Sequence, residues 1–511
     1  MQPGILADAG EPVELIETHI SWVLLAGNWA YKIKKPLDLG FLDFSTLEKR
    51  RAACEAELRL NQRLAPRLYE AVVAITGAAH SPRVEGKGVP LDYAVKMRRF
   101  PQSQLLDRLQ ENGQLTAALI DTVTDEIARF HQQLEPAPTD SHYGTPEQIW
   151  APVEQNFLQI DGTPLAMPQR ERLERLRDWS GREHTTKHDL FSRRRAEGHI
   201  RECHGDLHLG NIVALEQTVV PFDCLEFNPD LRWIDTLSEI AFLIMDLDDR
   251  GETSLAHRCL NRYLEVTGDY RGMAVLPFYL VYRALVRAKV NAIRSGQPGV
   301  SRDERQAALS AGARYLELAS RYIEPAAPHL YLTHGLSGSG KTTLTQELLE
   351  KGGMVRIRSD VERKRLSGLE QEASSRSALG AGLYSRDTTE RTYLELENLA
   401  AALLTAGWSV IVDATFLRVD QRTPFFELAR CLKVPITLFH FTAPVDVLEG
   451  RIKRRLRDAT DASEATLEVL HHQIAQRESL TAPEQSCAVV IDTRDPASMA
   501  QWMTRSFPGD S

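Results

Sequence analysis

GLSGSGKT, residues 335–342, is the stretch on which the reading of the fold turns. It follows the apolar run LYLTH (330–334) and opens KTTLTQELLE (341–350), a segment with the composition of a helix. A strand that ends in a glycine-rich loop and leads into a helix is the setting that a phosphate-binding loop requires. Gly335, Gly338 and Gly340 let the backbone curl, so that the N–H groups running from Gly335 through Leu336, Ser337 and Ser339 to Thr343 face a triphosphate, with the positive end of the helix behind them. Lys341 is expected to reach the β and γ phosphates and Thr342 to hold Mg²⁺, which makes ATP and Mg²⁺ the expected cofactors.

Outward from this loop, four more short apolar runs alternate with helical segments: MVRIR (354–358), SVIVDA (409–414), ITLFHF (436–441) and AVVID (488–492). Alternation of this kind predicts a doubly wound parallel sheet, here over residues 326–511. Asp413 closes SVIVDA, where a strand delivers a carboxylate to the metal side of such a loop, although the same residue could cap the next helix. Asp360 in IRSDVERKRL has Arg363 on the same helical face. A carboxylate that accepts a hydroxyl proton beside an arginine that holds an anionic acceptor suits phosphoryl transfer; a capping Asp with a solvated Arg is the plainer alternative. RIKRRLR (451–457) carries five cations in seven residues. Arg451 and Arg455 share one face and could close over a transferring phosphate, or simply form a charged, solvated surface.

A second motif stands earlier. HGDLHLGN (204–211) places Asn211 five residues after Asp206, the Asp-to-Asn spacing of a kinase catalytic loop. NIVALEQTVVPFD, which follows, reads as two short strands that would carry Asn211 and Asp223 to one place. Upstream, HISWVLLAG and WAYKIKK form a hairpin hinged on Gly27-Asn28, a helix follows from about Ser45 to Leu64, and AVVAI and YAVKMRRF complete a small sheet. Lys32 and Lys34 point to one face of their strand. Lys32, nearer its middle, is the preferred phosphate-binding lysine, with Glu57 as its orienting acid and Glu55 as the alternative. From Ser103 the pattern turns mainly helical up to Ile323, where Pro325 and Pro328 mark a boundary, giving a first domain over 1–325. In YRALVRAKVNAIR, Arg283, Arg287 and Arg294 fall near one face, suited either to an anionic ligand or to pairing with DLDDRGE (246–252).

Composition limits the partners. The 511 residues are 43% hydrophobic and 26% charged, with a net charge of −9, which argues against bulk nucleic-acid or anionic-membrane binding and confines any polyanion site to a local patch. The six cysteines are dispersed, with no C-x-x-C pair, as expected of reduced buried thiols. MQPGILADAGEPVELIE lacks a basic region and an apolar core, and AFLIM (241–245) is stopped by Asp246, so a cytoplasmic protein without a membrane segment is expected.

On these residues the later part resembles the P-loop kinases that include phage polynucleotide 5′-kinase and gluconate kinase-like enzymes, over roughly 329–495. Asp360 and Arg363 resemble the substrate pair of the polynucleotide kinases. HGDLHLGN resembles the catalytic loop of the aminoglycoside phosphotransferase and choline kinase branch of the protein-kinase-like fold. That resemblance implies that Asp206 takes the acceptor hydroxyl's proton and that Asn211 and Asp223 hold metal. Two departures stand out: no G-x-G-x-x-G loop is present, and the acidic tail with which aminoglycoside enzymes bind cationic drugs is absent. Nearly the whole chain is similar to bacterial two-domain proteins that fuse an aminoglycoside phosphotransferase-like domain to a P-loop kinase. The resemblance implies an α+β bilobal domain followed by an α/β domain, and ATP-dependent transfer to hydroxyl acceptors, small molecules or 5′-hydroxyl nucleic acid, at two sites. The alternative is a P-loop kinase regulated by a catalytically silent kinase-like domain.

Overall fold

The computed structural model describes residues 13–38, 40, 42–163, 167–216, 218–297, 299–325, 327–369, 385–458, 466–495 and 502. The chain forms two compact units, one built from Met1–Asp249 and Phe278–Ser320, the other from Arg250–Pro277 and Arg321–Ser511. A linear boundary at residue 325 does not anticipate that Arg250–Pro277 packs with the later unit. A helical pattern shows which face is apolar, not which neighbour covers it.

In the first unit, β1 (Glu14–Glu17), β2 (Ser21–Ala26), β3 (Trp29–Lys34), β4 (Tyr69–Ala78), β5 (Ser81–Val84) and β6 (Asp92–Arg98) form an antiparallel sheet. Its order is β1-β2-β3-β6-β4-β5, with the two-residue turn Gly27-Asn28 joining β2 to β3. Helix Leu47–Asn61 starts where the Thr46 side chain accepts the Lys49 N–H, within two residues of the expected start. Its Cys54 and Leu58 pack on Leu25, Ala30, Val95 and Met97 of the sheet, which brings Glu57 beneath β3. The rest of the unit is mainly helical, with two small ribbons. β7 (Ile200–Glu202) pairs with β10 (Trp233–Asp235), and β8 (Ile212–Leu215) with β9 (Thr218–Pro221). The β8–β9 hairpin puts Ile212 opposite Pro221, and the Phe222 N–H bonds Asn211 O at 2.9 Å, so Asn211 and Asp223 do arrive together. AFLIM lies on helix Thr236–Asp249, buried from Thr236 to Leu247, which accounts for its apolarity. No helix among the described residues is long and apolar enough to cross a membrane.

In the second unit, β11 (Leu330–His334), β12 (Val355–Arg358), β13 (Val410–Asp413), β14 (Ile436–Thr442) and β15 (Ala488–Asp492) form a parallel sheet in the order β12-β13-β11-β14-β15. All five runs read as strands in the sequence are strands. Apart from β12, where Arg356 and Arg358 alternate with Val355 and Ile357, they are largely apolar runs because both faces of the sheet are covered, with Tyr331, Leu348, Ile411, Phe439 and Ile491 in one core. β11 is central. The chain leaves it first toward β12 and β13 and later toward β14, and the carboxyl end of such a reversal is where an open α/β sheet leaves a crevice.

Candidate functional site

That crevice is present in the second unit as a cavity of about 480 Å³ at the end of β11. The loop after β11 approaches its neighbours so closely that glycine is required. A Cβ on Gly335 would lie 2.8 Å from Phe441 O, and Gly338 holds φ at +81° with only 3.1 Å between its would-be Cβ and Leu448 O. Helix Lys341–Gly352 starts from Gly340 with no side-chain cap, so its first N–H groups are left facing the cavity. Lys341 Nζ curls back onto Gly335 O and Leu336 O, both at 3.0 Å, and Thr342 Oγ1 donates to Asp413 Oδ2 at 2.8 Å. Uncapped amides, a lysine and a hydroxyl–carboxylate pair are the donor set that a nucleotide triphosphate with Mg²⁺ needs, so the residues fit that group.

Asp360 and Arg363 lie in the first turns of helix Ser359–Leu366, line the same cavity and bond each other at 3.1 Å. Arg451, on helix Val445–Asp458, also lines it but is tied down, donating to Gly338 O at 3.3 Å and to Thr493 Oγ1 and O at 2.9 Å. The Arg455 side chain lies outside the described residues. Sequence reasoning missed other wall residues, among them Arg358, Tyr393 and Gln473. Gln473 belongs to LEVLHHQ, whose pattern identifies a helix and nothing more.

The first unit holds a separate cluster. Lys32 Nζ meets Glu57 Oε1 at 2.8 Å and is ion-paired to Asp223. Lys34 Nζ meets Glu57 Oε2 at 2.5 Å and is ion-paired to Glu226. Both lysines named from the strand therefore reach Glu57, which is fully buried, whereas Glu55 is exposed and pairs with Arg51 at 2.8 Å. Burial works to raise the Glu57 carboxyl, but Lys32 and Lys34 outweigh it and hold the group at about 2. Glu226 goes the other way: burial raises it above the ordinary glutamate value, and Lys34 only partly offsets this.

Asp223 sits at φ +66°, a left-handed conformation costing about 1 kcal/mol for a residue with a Cβ, although Asp tolerates it better than most. Tyr69 OH accepts the Asp223 N–H at 3.1 Å and Asn61 Oδ1 the Cys224 N–H at 2.9 Å, which together fix that bend. Asn211 Nδ2 donates to Asp206 Oδ2 at 3.0 Å, and His208 Nε2 stands 3.5 Å from the same oxygen. Burial acts to raise the Asp206 carboxyl, yet His208, Arg287 and His204 hold it below the usual carboxylate range, so it is ionised.

Behind the loop, Glu239 accepts the N–H groups of His204 (2.5 Å) and Gly205 (2.9 Å), and Asp246 that of Leu209 (2.9 Å). Arg283 is buried and donates to Gly205 O at 3.2 Å and Ser238 O at 2.9 Å, while Arg294 meets Glu304 at 3.4 Å. Arg283, Arg287 and Arg294 therefore do not form an open anion-binding stripe. Arg283 braces the catalytic-type loop, and Arg287 feels Asp246 of DLDDRGE.

Residues 41–276 match a family described as "Phosphotransferase enzyme family", and residues 330–480 a family described as "AAA domain". Over 456 residues the chain is 32% identical to the uncharacterized protein Rv2004c of Mycobacterium tuberculosis, with 88% of each chain covered. Among solved structures, a putative kinase from Chloroflexus aurantiacus J-10-fl is 22% identical, matching 36% of this chain and 98% of its own with a TM-score of 0.29. A choline/ethanolamine kinase family protein from Mesorhizobium loti is 11% identical, matching 62% of this chain and 94% of its own with a TM-score of 0.37.

Proposed function

This chain belongs to the same protein family as that mycobacterial protein, and with a phosphotransferase-family domain ahead of a P-loop domain it is a phosphotransferase; from that premise we propose that it works at two separate sites, each moving the γ-phosphoryl group of ATP to a hydroxyl acceptor. The observation that carries the reading is that each unit holds its own full set of groups: Lys32, Glu57, Asp206, Asn211 and Asp223 in one, Lys341, Thr342, Asp413, Asp360 and Arg363 in the other.

Bound ATP would supply the transferable group at each site, and Mg²⁺ would neutralise the charge that develops on it. In the first unit, Lys32, oriented by Glu57, binds the α and β phosphates. Asn211 and Asp223 hold the metal, and Asp206 accepts the proton of the acceptor hydroxyl. In the second, the amides from Gly335 to Thr343 with Lys341 bind the triphosphate, and Thr342 and Asp413 hold the metal. Asp360 accepts the hydroxyl proton, Arg363 holds an anionic part of the acceptor, and Arg451 and Arg455 contribute positive charge over the transferring group. The acceptors are small molecules or 5′-hydroxyl ends of nucleic acid, and the protein acts in the cytoplasm.

The test is transfer from γ-labelled ATP with Mg²⁺ to a metabolite extract, to 5′-hydroxyl oligonucleotides and to aminoglycosides. Wild type, Asp206→Asn and Lys341→Ala are compared. Loss of a different product in each variant supports two sites. If Lys341→Ala removes every product and Asp206→Asn none, the first unit is a ligand-binding regulator and the two-site reading is wrong.

A further inference from the structure

Helix Thr253–Thr267 and the turn Tyr270–Ala274 belong to the second unit, although the match to the phosphotransferase family runs through them to residue 276. The helix covers β12, the edge strand of the parallel sheet. Asn261 satisfies that edge as a neighbouring strand would: Oδ1 accepts the Arg356 N–H at 2.8 Å, and Nδ2 donates to Met354 O at 2.9 Å. Arg258 pairs with Glu350 at 2.6 Å, and Trp408 Nε1 donates to Met273 O at 3.0 Å. A sheet edge whose backbone groups are taken up in this way is protected from foreign strands.

One turn further along, Glu265 is buried between two arginines. Its Oε1 accepts from Arg356 Nη2 at 2.8 Å, its Oε2 lies 3.5 Å from Arg358 Nη1, and its backbone carbonyl accepts from Arg365 at 2.5 Å. Arg356 then grips the phosphate-loop helix. Its Nη1 donates to Thr342 O at 3.0 Å and Thr345 Oγ1 at 3.3 Å, and its Nη2 to Gln346 Oε1 at 2.8 Å. Arg358 lines the cavity. A buried guanidinium that loses its counter-charge is strongly destabilised, so removing the carboxylate takes from Arg356 its ion-pair partner and loosens its grip on the helix, and takes from Arg358 one of its contacts.

We propose that Glu265 is a positioning residue of the P-loop site: through Arg356 it fixes the peptide that carries Thr342, and through Arg358 a cationic part of the cavity wall, so that Arg250–Pro277 completes the second unit's phosphotransfer site. The kinetic side of this rests on the P-loop reading above; the structural side does not. Groups that orient metal ligands from behind commonly carry a large share of metal affinity.

The test uses the full chain with Glu265→Gln and, as a structural control, Asn261→Ala, which uncovers the edge strand without touching either guanidinium. Two quantities are read: amide hydrogen exchange over residues 336–346 without ligand, and the Mg²⁺ concentration that half-saturates Lys341-dependent ATP turnover. Glu265→Gln is expected to speed exchange from Lys341 to Gln346 and to raise half-saturating Mg²⁺ by roughly tenfold, with KM for ATP at saturating Mg²⁺ changed less than about twofold. Asn261→Ala is expected to lower the melting temperature and leave both quantities near wild type. Wild-type exchange in Glu265→Gln, or an equal response in Asn261→Ala, overturns the proposal. If the wild type shows no Lys341-dependent turnover, the P-loop reading fails, and the exchange comparison alone decides whether Glu265 positions the loop.

Discussion

Gln473 accepts the backbone N–H of Ser337 at 2.9 Å, a bond from the helix Leu467–Gln476 onto the phosphate-binding loop. That N–H is one of the amides a triphosphate would use, so a bound nucleotide that takes it would have to displace the glutamine oxygen. Gln473→Ala is expected to tighten ATP binding by roughly three- to tenfold, the worth of one net hydrogen bond. Calorimetric titration against Lys341→Ala as the non-binding reference checks this. Weaker binding would show that Gln473 stays with the nucleotide instead of yielding to it.

Thr342 and Asp413 meet at 2.8 Å from the first turn of helix Lys341–Gly352 and the end of β13. Thr342→Ala and Asp413→Asn are each expected to cut the second unit's turnover roughly a hundredfold, the scale for losing one fixed electrostatic contact. The first unit's products should be untouched. Product-resolved rates with γ-labelled ATP make the comparison, and a loss of both product classes would count against separate sites.

Asp223 needs a left-handed backbone as well as a carboxylate. Asn shares the tolerance for that conformation and Ala does not. Asp223→Asn keeps the bend but takes one counter-charge from buried Lys32, so it is expected to abolish the first unit's transfer with a lowered melting temperature. Asp223→Ala should abolish transfer too and lose about 1 kcal/mol more. Thermal melts beside activity assays separate the two effects.

Glu57 links acid stability to the lysine pair. Its folded value, about 2, lies below the 4.5 of an unperturbed glutamate. A depressed value stabilises the folded state above the unfolded value and loses that effect as pH falls toward the folded one. Glu57→Gln, which leaves Lys32 and Lys34 short of a buried counter-charge, is expected to cost about 3 kcal/mol at pH 7. Denaturant titrations should show the gap to wild type shrinking as the pH drops from about 4.5 toward 2. A gap that is constant with pH would mean that Glu57 acts by packing alone.

Much of this was legible in the residues because local rules determine it. Strands buried on both faces leave apolar runs, and the end of such a run carries a carboxylate to the same edge as the loop, which is why Thr342 and Asp413 could be paired on paper. Alternation along β3 put Lys32 and Lys34 on one face, and both reach Glu57. What stayed hidden depends on partners distant in sequence. Glu239 and Arg283 bond main-chain atoms of the HGDLHLGN loop, which no side-chain pattern announces. Glu226 sits in plain view in FDCLEF, but its role follows only from Lys34 lying 192 positions away. The arginines of YRALVRAKVNAIR were legible as a stripe, but the burial of Arg283 was not, since that depends on what packs over helix Leu276–Gly296.

Helix Thr253–Thr267 precedes every strand of the sheet whose edge it covers. During synthesis Asn261 leaves the ribosome 95 residues ahead of Arg356, the backbone it will pair with. At about 5–20 residues per second the helix waits roughly 5–20 s for its strand. Through that interval Glu265 has neither arginine, and the later unit cannot close until an earlier piece of the chain, already made, is still available to receive it.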